Sequence, residues 1–399
     1  MRLFLLRCRS EIDCVKRKLM KEVQQMRKRL ILLMLLTVLI IGCQEMNVLS
    51  KNEYDRGKVE VQENGNDFLA LLIESTREFD VSPGEYGYFA IRYIEHMQEI
   101  LPNRLAFTDR ELETAEWIIE MLLEMGFDES QVEIQNFDIN KETSSWWGDS
   151  SWLVEYYEYQ GYYDGLKRID TSQNVILTVP GRSEETIIIG AHYDSMNNSG
   201  ISDNAGGVAL LLENVYRMRH VDHYYTLQYV FFGAHEVGLI GTFYFADNLS
   251  EEDNLVLMIN ADVLMDGPDL RYAIGYVDGL PENPEELFWG TRPNVLKNEL
   301  TLSIDEIAAE LNENYGTELI AEPQAIFLST DQMAFLQFEV PVMVFYGTYP
   351  IEYPNLARSY IWHSPSDDLD FIIKNHPGRI ERALNSFGRF LEAVLSSEF

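Results

Sequence analysis

Cysteine and basic side chains are both scarce in this sequence. Three cysteines among 399 residues are too few for a disulfide scaffold. Only 31 lysines and arginines face 65 aspartates and glutamates, which gives a formal net charge of −34. Such a charge repels phosphate backbones and argues against a nucleic-acid partner. Because 46% of the residues are hydrophobic and 12% are aromatic, we nevertheless expect a folded chain of one to three domains.

The sequence also lacks the short motifs of several large enzyme classes. It has no Walker loop, no Rossmann glycine pattern after a predicted strand and no Gly-x-Ser-x-Gly elbow. His235-Glu236 half-matches the thermolysin pattern His-Glu-x-x-His, but Leu239 stands where the second histidine is needed. These absences argue against nucleotide-binding folds, serine hydrolases and thermolysin-type peptidases.

Positive charge is concentrated at the N-terminus. Residues 1–42 hold 10 basic and 3 acidic side chains, whereas the remainder holds 21 and 62, a net charge of −41. The apolar stretch Leu30–Ile41 is too short to cross a bilayer but fits the core of a secretory signal. With Gly42-Cys43 it resembles a bacterial lipoprotein signal, which implies cleavage before Cys43, a lipid on its sulfur and an extracytoplasmic, membrane-anchored protein. An uncleaved short anchor is the alternative interpretation.

Apolar runs alternate with helical patterns along most of the chain. Continuous apolar runs at 174–179, 186–191, 225–233, 255–261 and 341–346 predict strands that are buried on both faces. Helical patterns are found at 67–80, 86–101, 109–125, 204–219, 238–248, 303–314, 331–337 and 377–396. This rhythm predicts an α/β fold, a three-layer sandwich with a mixed, mainly parallel central sheet flanked by helices.

The segment 144–163 (SSWWGDSSWLVEYYEYQGYY) is aromatic and acidic, and it precedes the first strong strand. We expect it to form a packed hairpin. A flap that faces the substrate is the second interpretation.

Imidazole and carboxylate side chains follow the predicted strands where each strand ends. The carboxyl ends of strands in an open α/β sheet meet at the ligand site, so these side chains are expected to converge. The set consists of His192, Asp203, Glu236, Asp262 and His363. Zinc binds imidazole nitrogen and carboxylate oxygen, and the set could hold two zinc ions if one carboxylate bridges them. Asp194 lies where its carboxylate could orient the ring of His192.

Several strings in the sequence resemble the motifs of metallopeptidase family 28: AHYDS, SDNAGGVALLLE, FFGAHEVGLIGT, INADV and WHSPSDDLD. The likeness runs from about residue 104 to the C-terminus, and the family includes bacterial secreted aminopeptidases, glutamate carboxypeptidases and glutaminyl cyclases. The resemblance implies a zinc-exopeptidase-like fold, two zinc ions and a peptide substrate. It further implies that His192 and Asp262 bind one zinc ion, that Glu236 and His363 bind the other, and that Asp203 bridges them.

The sequence departs from the family pattern at two positions. The family has two adjacent glutamates, a general base and then a metal ligand, whereas this sequence has His235 before Glu236. We expect His235 to act as the base, because imidazole titrates near neutrality, although its reach differs from that of a carboxylate. Gln332 stands where the family segment Ser-Asp-His-x-x-Phe has a histidine, and we expect the preceding Asp331 to cap a helix.

These observations predict a zinc-dependent exopeptidase of aminopeptidase type, with His235 and Asp194 as its catalytic side chains and a rate lowered by the histidine. Two alternatives stay open: an inactive zinc-binding surface protein of the same fold and, less favoured, a glutaminyl cyclase. The predicted organisation is a lipoprotein signal at 1–42 with an over-long start, a tether at 43–66, and a zinc peptidase-like domain at 67–399 that contains the aromatic insertion 144–163. Neither the oligomeric state nor the preferred substrate follows from the sequence.

Overall fold

A mixed sheet of eight strands forms the centre of the computed structural model, which describes residues 72, 73, 75, 77–138, 151–250, 253–279, 293–349 and 361–399. In chain order the strands are β1 (Val132–Asp138), β2 (Thr171–Val179), β3 (Thr186–His192), β4 (Thr226–Phe232), β5 (Leu255–Ala261), β6 (Asp269–Gly275), β7 (Leu319–Ala321) and β8 (Val342–Thr348). Their order across the sheet is β1-β2-β4-β3-β5-β8-β6-β7. The four central strands, β4, β3, β5 and β8, are parallel to one another, so their carboxyl ends lie at one edge.

Helices are distributed along the chain between and around these strands. In chain order they are α1 (Tyr88–Glu99), α2 (Asp109–Glu124), α3 (Ser151–Tyr159), α4 (Gly206–Met218), α5 (Ile240–Asp247), α6 (Glu299–Tyr315), α7 (Leu369–Asn375) and α8 (Arg379–Leu395). Short 3-10 segments at Pro323–Phe327 and Asp331–Phe338 lie between β7 and β8. None of the helices in the described part of the chain has both the length and the apolar character needed to cross a membrane.

Alternate residues of the central strands pack on opposite sides of the sheet. In β3, Ile187 and Ile189 contribute to a core shared with helices α1, α2, α4 and α8. Ile188 lies between them in sequence but packs in a second core with α5 and the two 3-10 segments. This alternation follows from the two-residue period of a strand. It produces the three-layer sandwich and explains why the strand sequences are continuously apolar.

The five predicted strands are all present, and the predicted fold class is confirmed. The expectation of a hairpin in the aromatic segment is wrong where the segment is described, because residues 151–159 form helix α3. Val154 and Tyr157, three residues apart, are its buried positions, which is a helical spacing. Residues 139–150 lie outside the described residues, as does part of the predicted helix at 67–80. The residues of that segment that are described, 72, 73, 75 and 77–80, are not helical.

Arg104 joins the segment between α1 and α2 to the loop that follows β3. Its side chain is fully buried, and its guanidinium donates to the carbonyl oxygens of Tyr193 (2.8 Å), Ser199 (2.9 Å) and Gly200 (3.0 Å). The planar fork of five N–H donors suits several acceptors at once. Gly200 has a φ of 58°, and a Cβ there would approach Arg104 Nη2 to 2.8 Å. The loop can therefore close around the guanidinium only with glycine at this position.

We predict that Arg104→Lys destabilises the protein by about 2 kcal/mol or more, because a single ammonium cannot serve three separated carbonyls. The measurement is the urea midpoint of unfolding of the full chain in the presence of a chelator. Arg182→Lys changes an exposed arginine in the same way and should leave the midpoint unchanged. Equal midpoints for the two variants would contradict the role given to Arg104.

Candidate metal centre

All five side chains predicted to converge lie together at the carboxyl edge of the parallel strands. His192 is the last residue of β3, Glu236 follows β4 and Asp262 follows β5. Asp203 lies in the kinked turn Ile201–Ala205 that precedes α4, and His363 lies in the chain before α7. Four of them are buried, whereas the His363 side chain is 28% exposed.

The contacts divide the cluster into two groups that share one carboxylate. His192 Nε2 lies 3.1 Å from Asp203 Oδ1 and 3.2 Å from Asp262 Oδ1. His363 Nε2 lies 3.1 Å from Asp203 Oδ2 and 3.1 Å from Glu236 Oε2. Asp203 therefore presents one oxygen to each group, which is the arrangement of a bridging ligand.

These distances and donor types fit a pair of divalent cations. A tetrahedral ion with ligands at about 2.0 Å holds those ligands about 3.3 Å from one another. Asp203 Oδ2 lies near His363 Nε2 without hydrogen-bond geometry, and Glu236 Oε1 has no hydrogen bond with any described residue. Buried carboxylate oxygens without a hydrogen bond are costly, and a bound cation would remove that cost.

The imidazoles and carboxylates of the cluster shift one another's pKa values. Burial opposes protonation of His192 and His363, yet the pKa of each lies well above its ordinary value, chiefly because of Asp262 and Glu236 respectively. Burial also opposes ionisation of Asp203, but the two imidazoles lower the pKa of this carboxyl well below its usual range. The cluster therefore attracts positive charge to the space between its imidazoles and carboxylates.

Asp194 orients the residues around it, as its position in the sequence suggests. Its Oδ1 accepts the backbone N–H of His235 and its Oδ2 accepts that of Glu236, both at 3.0 Å. The Nδ1 atom of His192 lies 3.1 Å from the Asp194 carbonyl oxygen and 3.4 Å from Oδ1. The Asp194 carboxylate thus fixes the turn after β4, and the Asp194 carbonyl oxygen, with Oδ1 nearby, holds the ring at the end of β3.

Asp367 is a supporting residue that sequence reasoning missed. It is fully buried and accepts the backbone N–H groups of Ser202 at 2.6 Å and Asp203 at 3.1 Å. Burial, with the nearby Asp203 charge, raises the pKa of Asp367 to about 8. The residue lies within the string WHSPSDDLD, but nothing in the spacing of that string indicates which backbone it holds.

The segment at 330–332 holds Asp262 from the other side. The Thr330 hydroxyl donates to Asp262 Oδ2 and accepts from Asn260 Nδ2 at 2.9 Å. Gln332, where the family pattern has histidine, accepts from Asn260 Nδ2 at 3.1 Å and donates to the Leu328 carbonyl at 2.9 Å. Gln332 therefore supports the loop and does not enter the cluster.

His235 lies against the cluster with its ring on that of His192. The ring centroids are 3.7 Å apart and the planes differ by 12°. A ring nitrogen of His235 lies within 4.8 Å of ligand atoms of His192 and Asp262. However, the two rings lie in nearly parallel planes, so their nitrogen lone pairs, which lie in the ring planes, do not point at one common position. The stack therefore disfavours binding of one ion by both rings.

Asp331 contacts His235, and the expectation that it caps a helix is wrong. The 3-10 segment Asp331–Phe338 has Thr330 at its N-cap position and no side-chain cap. Asp331 Oδ1 instead lies 2.9 Å from His235 Nδ1 and accepts the hydroxyl of Thr242. Burial and His192 oppose protonation of His235, but Asp331, together with Asp262, outweighs them and raises the pKa of His235 to about 9.

Comparisons with known proteins identify the family of the chain. The model of Peptidase family M28 matches residues 174–387. The chain is 24% identical over 357 residues to the alkaline phosphatase isozyme conversion protein of Escherichia coli K12, with 81% of this chain and 94% of that protein covered. It is 35% identical over 98 residues to the probable lipoprotein aminopeptidase LpqL of Mycobacterium tuberculosis, covering 23% of this chain and 20% of that one.

Two solved structures share the fold at low sequence identity. The zinc aminopeptidase BSAP from Bacillus subtilis has a TM-score of 0.58 at 16% identity, with 80% of this chain and 97% of that chain covered. The glutaminyl cyclase of Tannerella forsythia has a TM-score of 0.53 at 15% identity, with 78% and 98% covered. The family match spans more than half of the 399 residues and contains all five side chains of the cluster, so this chain belongs to peptidase family M28.

Proposed function

We propose that this protein is a zinc-dependent exopeptidase of aminopeptidase type that cleaves peptides next to a free amino terminus. The observation that carries the proposal is Asp203, whose two oxygens lie in two separate imidazole–carboxylate groups. Family membership and relatives named as aminopeptidases, including those of Bacillus subtilis and Mycobacterium tuberculosis, support the reaction class. Exopeptidase action follows from the family and not from the cluster itself.

The ligands of two zinc ions would be divided as the contacts divide. His192 and Asp262 would hold one ion, Glu236 and His363 the other, and Asp203 would bridge them. When bound, such a metal pair acts as a Lewis acid on the substrate carbonyl and activates water at neutral pH. The proton transfers of the reaction would be carried out by side chains of the protein.

His235 would act as the base and proton carrier of the reaction. Its ring is beside the cluster, and the stack on His192 disfavours a ligand role. It would take a proton from the attacking water and deliver it to the nitrogen of the departing amine. Asp194 would take part by holding the backbone of the His235-Glu236 turn and the ring of His192.

The metal assignment predicts two zinc ions per full-length chain purified without chelator, measured by elemental analysis. Asp203→Ala removes the ligand shared by both groups, so we expect at most one zinc ion and a loss of affinity of at least about 10²-fold. Asp222→Ala removes an exposed carboxylate and should leave the zinc content unchanged. No zinc in the wild type, or full zinc in Asp203→Ala, would contradict the assignment.

The base assignment predicts that His235→Gln lowers kcat by about 10²- to 10⁴-fold on aminoacyl amides or dipeptides. Its zinc content should equal that of the wild type, since the side chain is not proposed as a ligand. Loss of zinc in His235→Gln would instead identify His235 as a ligand.

The same assay separates the alternatives. A zinc-loaded wild type without turnover, together with turnover gained in His235→Glu, would establish the inactive zinc-binding protein. Ring closure of a glutaminyl peptide without hydrolysis would establish the cyclase. That reaction ranks lower because it ordinarily uses a glutamate at this position.

We further propose that the protein is a lipoprotein outside the cytoplasm, with the division 1–42, 43–66 and 67–399 given by its sequence. Support comes from the basic head, the apolar stretch Leu30–Ile41 and Cys43, and from one relative named a probable lipoprotein aminopeptidase. Residues 1–71 lie outside the described residues. Two or more acyl chains on the N-terminal cysteine would make the anchoring stable.

Cys43→Ser should abolish incorporation of labelled palmitate and move the protein out of the membrane fraction. Cys14→Ser changes a cysteine of the proposed signal and should do neither, which makes it the matched control. Equal labelling of the wild type and Cys43→Ser would overturn the anchor.

A further inference from the structure

The ring of His235 contacts His192 with its face and Asp331 with its edge. Its face stacks on His192, with centroids 3.7 Å apart. Its edge meets Asp331, whose Oδ1 lies 2.9 Å from Nδ1. The Asp331 side chain is completely buried, and the His235 side chain is 11% exposed. A half-turn of the ring would replace Nδ1 by carbon at this carboxylate and lose the hydrogen bond.

Asp331 is itself fixed by two further elements. It begins the 3-10 segment Asp331–Phe338, so its backbone is part of the layer packed on the sheet. The hydroxyl of Thr242, on α5, donates to the same Oδ1 atom. The carboxylate is therefore held in place by contacts that do not involve His235. Only a carboxylate fixed in this way can orient the imidazole.

The chemistry of the pair determines where the imidazole proton lies. Asp331 Oδ1 already accepts the hydroxyl of Thr242 and is therefore an acceptor, so the His235 Nδ1 atom beside it donates. A neutral imidazole has a single N–H, and if it is on Nδ1 then Nε2 is the acceptor. We propose that Asp331 is the positioning residue of His235, which holds the ring and fixes its proton on Nδ1 so that Nε2 accepts the proton in the reaction. This inference rests on the proposed function for the reaction, whereas its structural part can be tested alone.

In this pair only His235 departs from the family pattern, where a glutamate is expected, since Asp331 matches the aspartate of the Ser-Asp-His-x-x-Phe segment. A glutamate would present an acceptor oxygen directly, whereas an unrestrained imidazole presents either a donor or an acceptor, depending on its tautomer. Asp331 removes that ambiguity, as the buried aspartate of a Ser-His-Asp triad does for its histidine. His235 without Asp331 would place an N–H, and not a lone pair, toward the attacking water in part of the molecules.

The first test is a nitrogen NMR spectrum of the zinc-loaded full chain labelled with ¹⁵N-histidine. The chain has seven histidines, and His235 is assigned by comparison with His235→Gln. The spectrum is recorded at a pH above the raised pKa of His235, where the ring is neutral, and we expect the wild type to carry the single proton on Nδ1. Asp331→Asn offers an amide donor to Nδ1, so the proton should move to Nε2 in most molecules. Thr242→Val removes the other donor to the same oxygen and should keep the wild-type tautomer.

The second test is kinetic. Asp331→Asn should lower kcat by about 10²- to 10⁴-fold and change KM by less than about threefold. In the double variant with His235→Gln, the asparagine should cost no further activity, because its effect passes through the imidazole. A purely structural role would add its cost to that of His235→Gln.

A wild-type proton on Nε2, or an unchanged tautomer in Asp331→Asn, would overturn the inference even if that variant loses activity. The wild-type spectrum decides the first of these outcomes if Asp331→Asn does not fold. The expected tautomers in a chain that hydrolyses no peptide would support the positioning by Asp331 and overturn only the proposed function.

Discussion

Buried carboxylates at the carboxyl edge of the sheet are the constraint on which the site depends. An isolated buried charge costs several kcal/mol, so each carboxylate must collect donors or cations around itself. Asp194 and Asp367 each accept two backbone N–H groups from loops that carry the cluster, and Glu111 accepts one from the loop of Ala234 and one from Phe107 before α2. These hydrogen bonds offset the free-energy cost of burying the carboxylates, and they also fix the loops that position the cluster.

The sequence predicts the cluster well because its members follow strands that can be recognised locally. His192, Glu236 and Asp262 each follow a continuous apolar run that proved to be a parallel strand. Edge strand β1 was not predicted, since Phe137 is its one buried residue and it shows no apolar run. The partners of Asp331 and Asp367 could not be predicted either, because they depend on loops more than 90 residues apart in the chain meeting in space.

The replacement of a glutamate by His235 removes one negative charge from the family's arrangement. An imidazole at this place would be a poor substitute if its ring turned freely or if it bound the metal of its neighbour. The stack on His192 disfavours metal binding, and Asp331 restricts the turning of the ring. In the proposed function, a change that appears disabling in the sequence is therefore accompanied by two contacts that would direct the acceptor nitrogen of the ring.

The exposure of the side chains indicates where a substrate can approach. His192 is completely buried, whereas His363 is 28% exposed and its ring stacks on Trp362 at 4.1 Å. Trp362 is itself 38% exposed, so the Glu236–His363 side of the cluster borders solvent. A peptide reaching the cluster from that side meets an aromatic face and one imidazole first. His235, whose side chain is 11% exposed, stacks on the buried His192 and is therefore less open to solvent than His363.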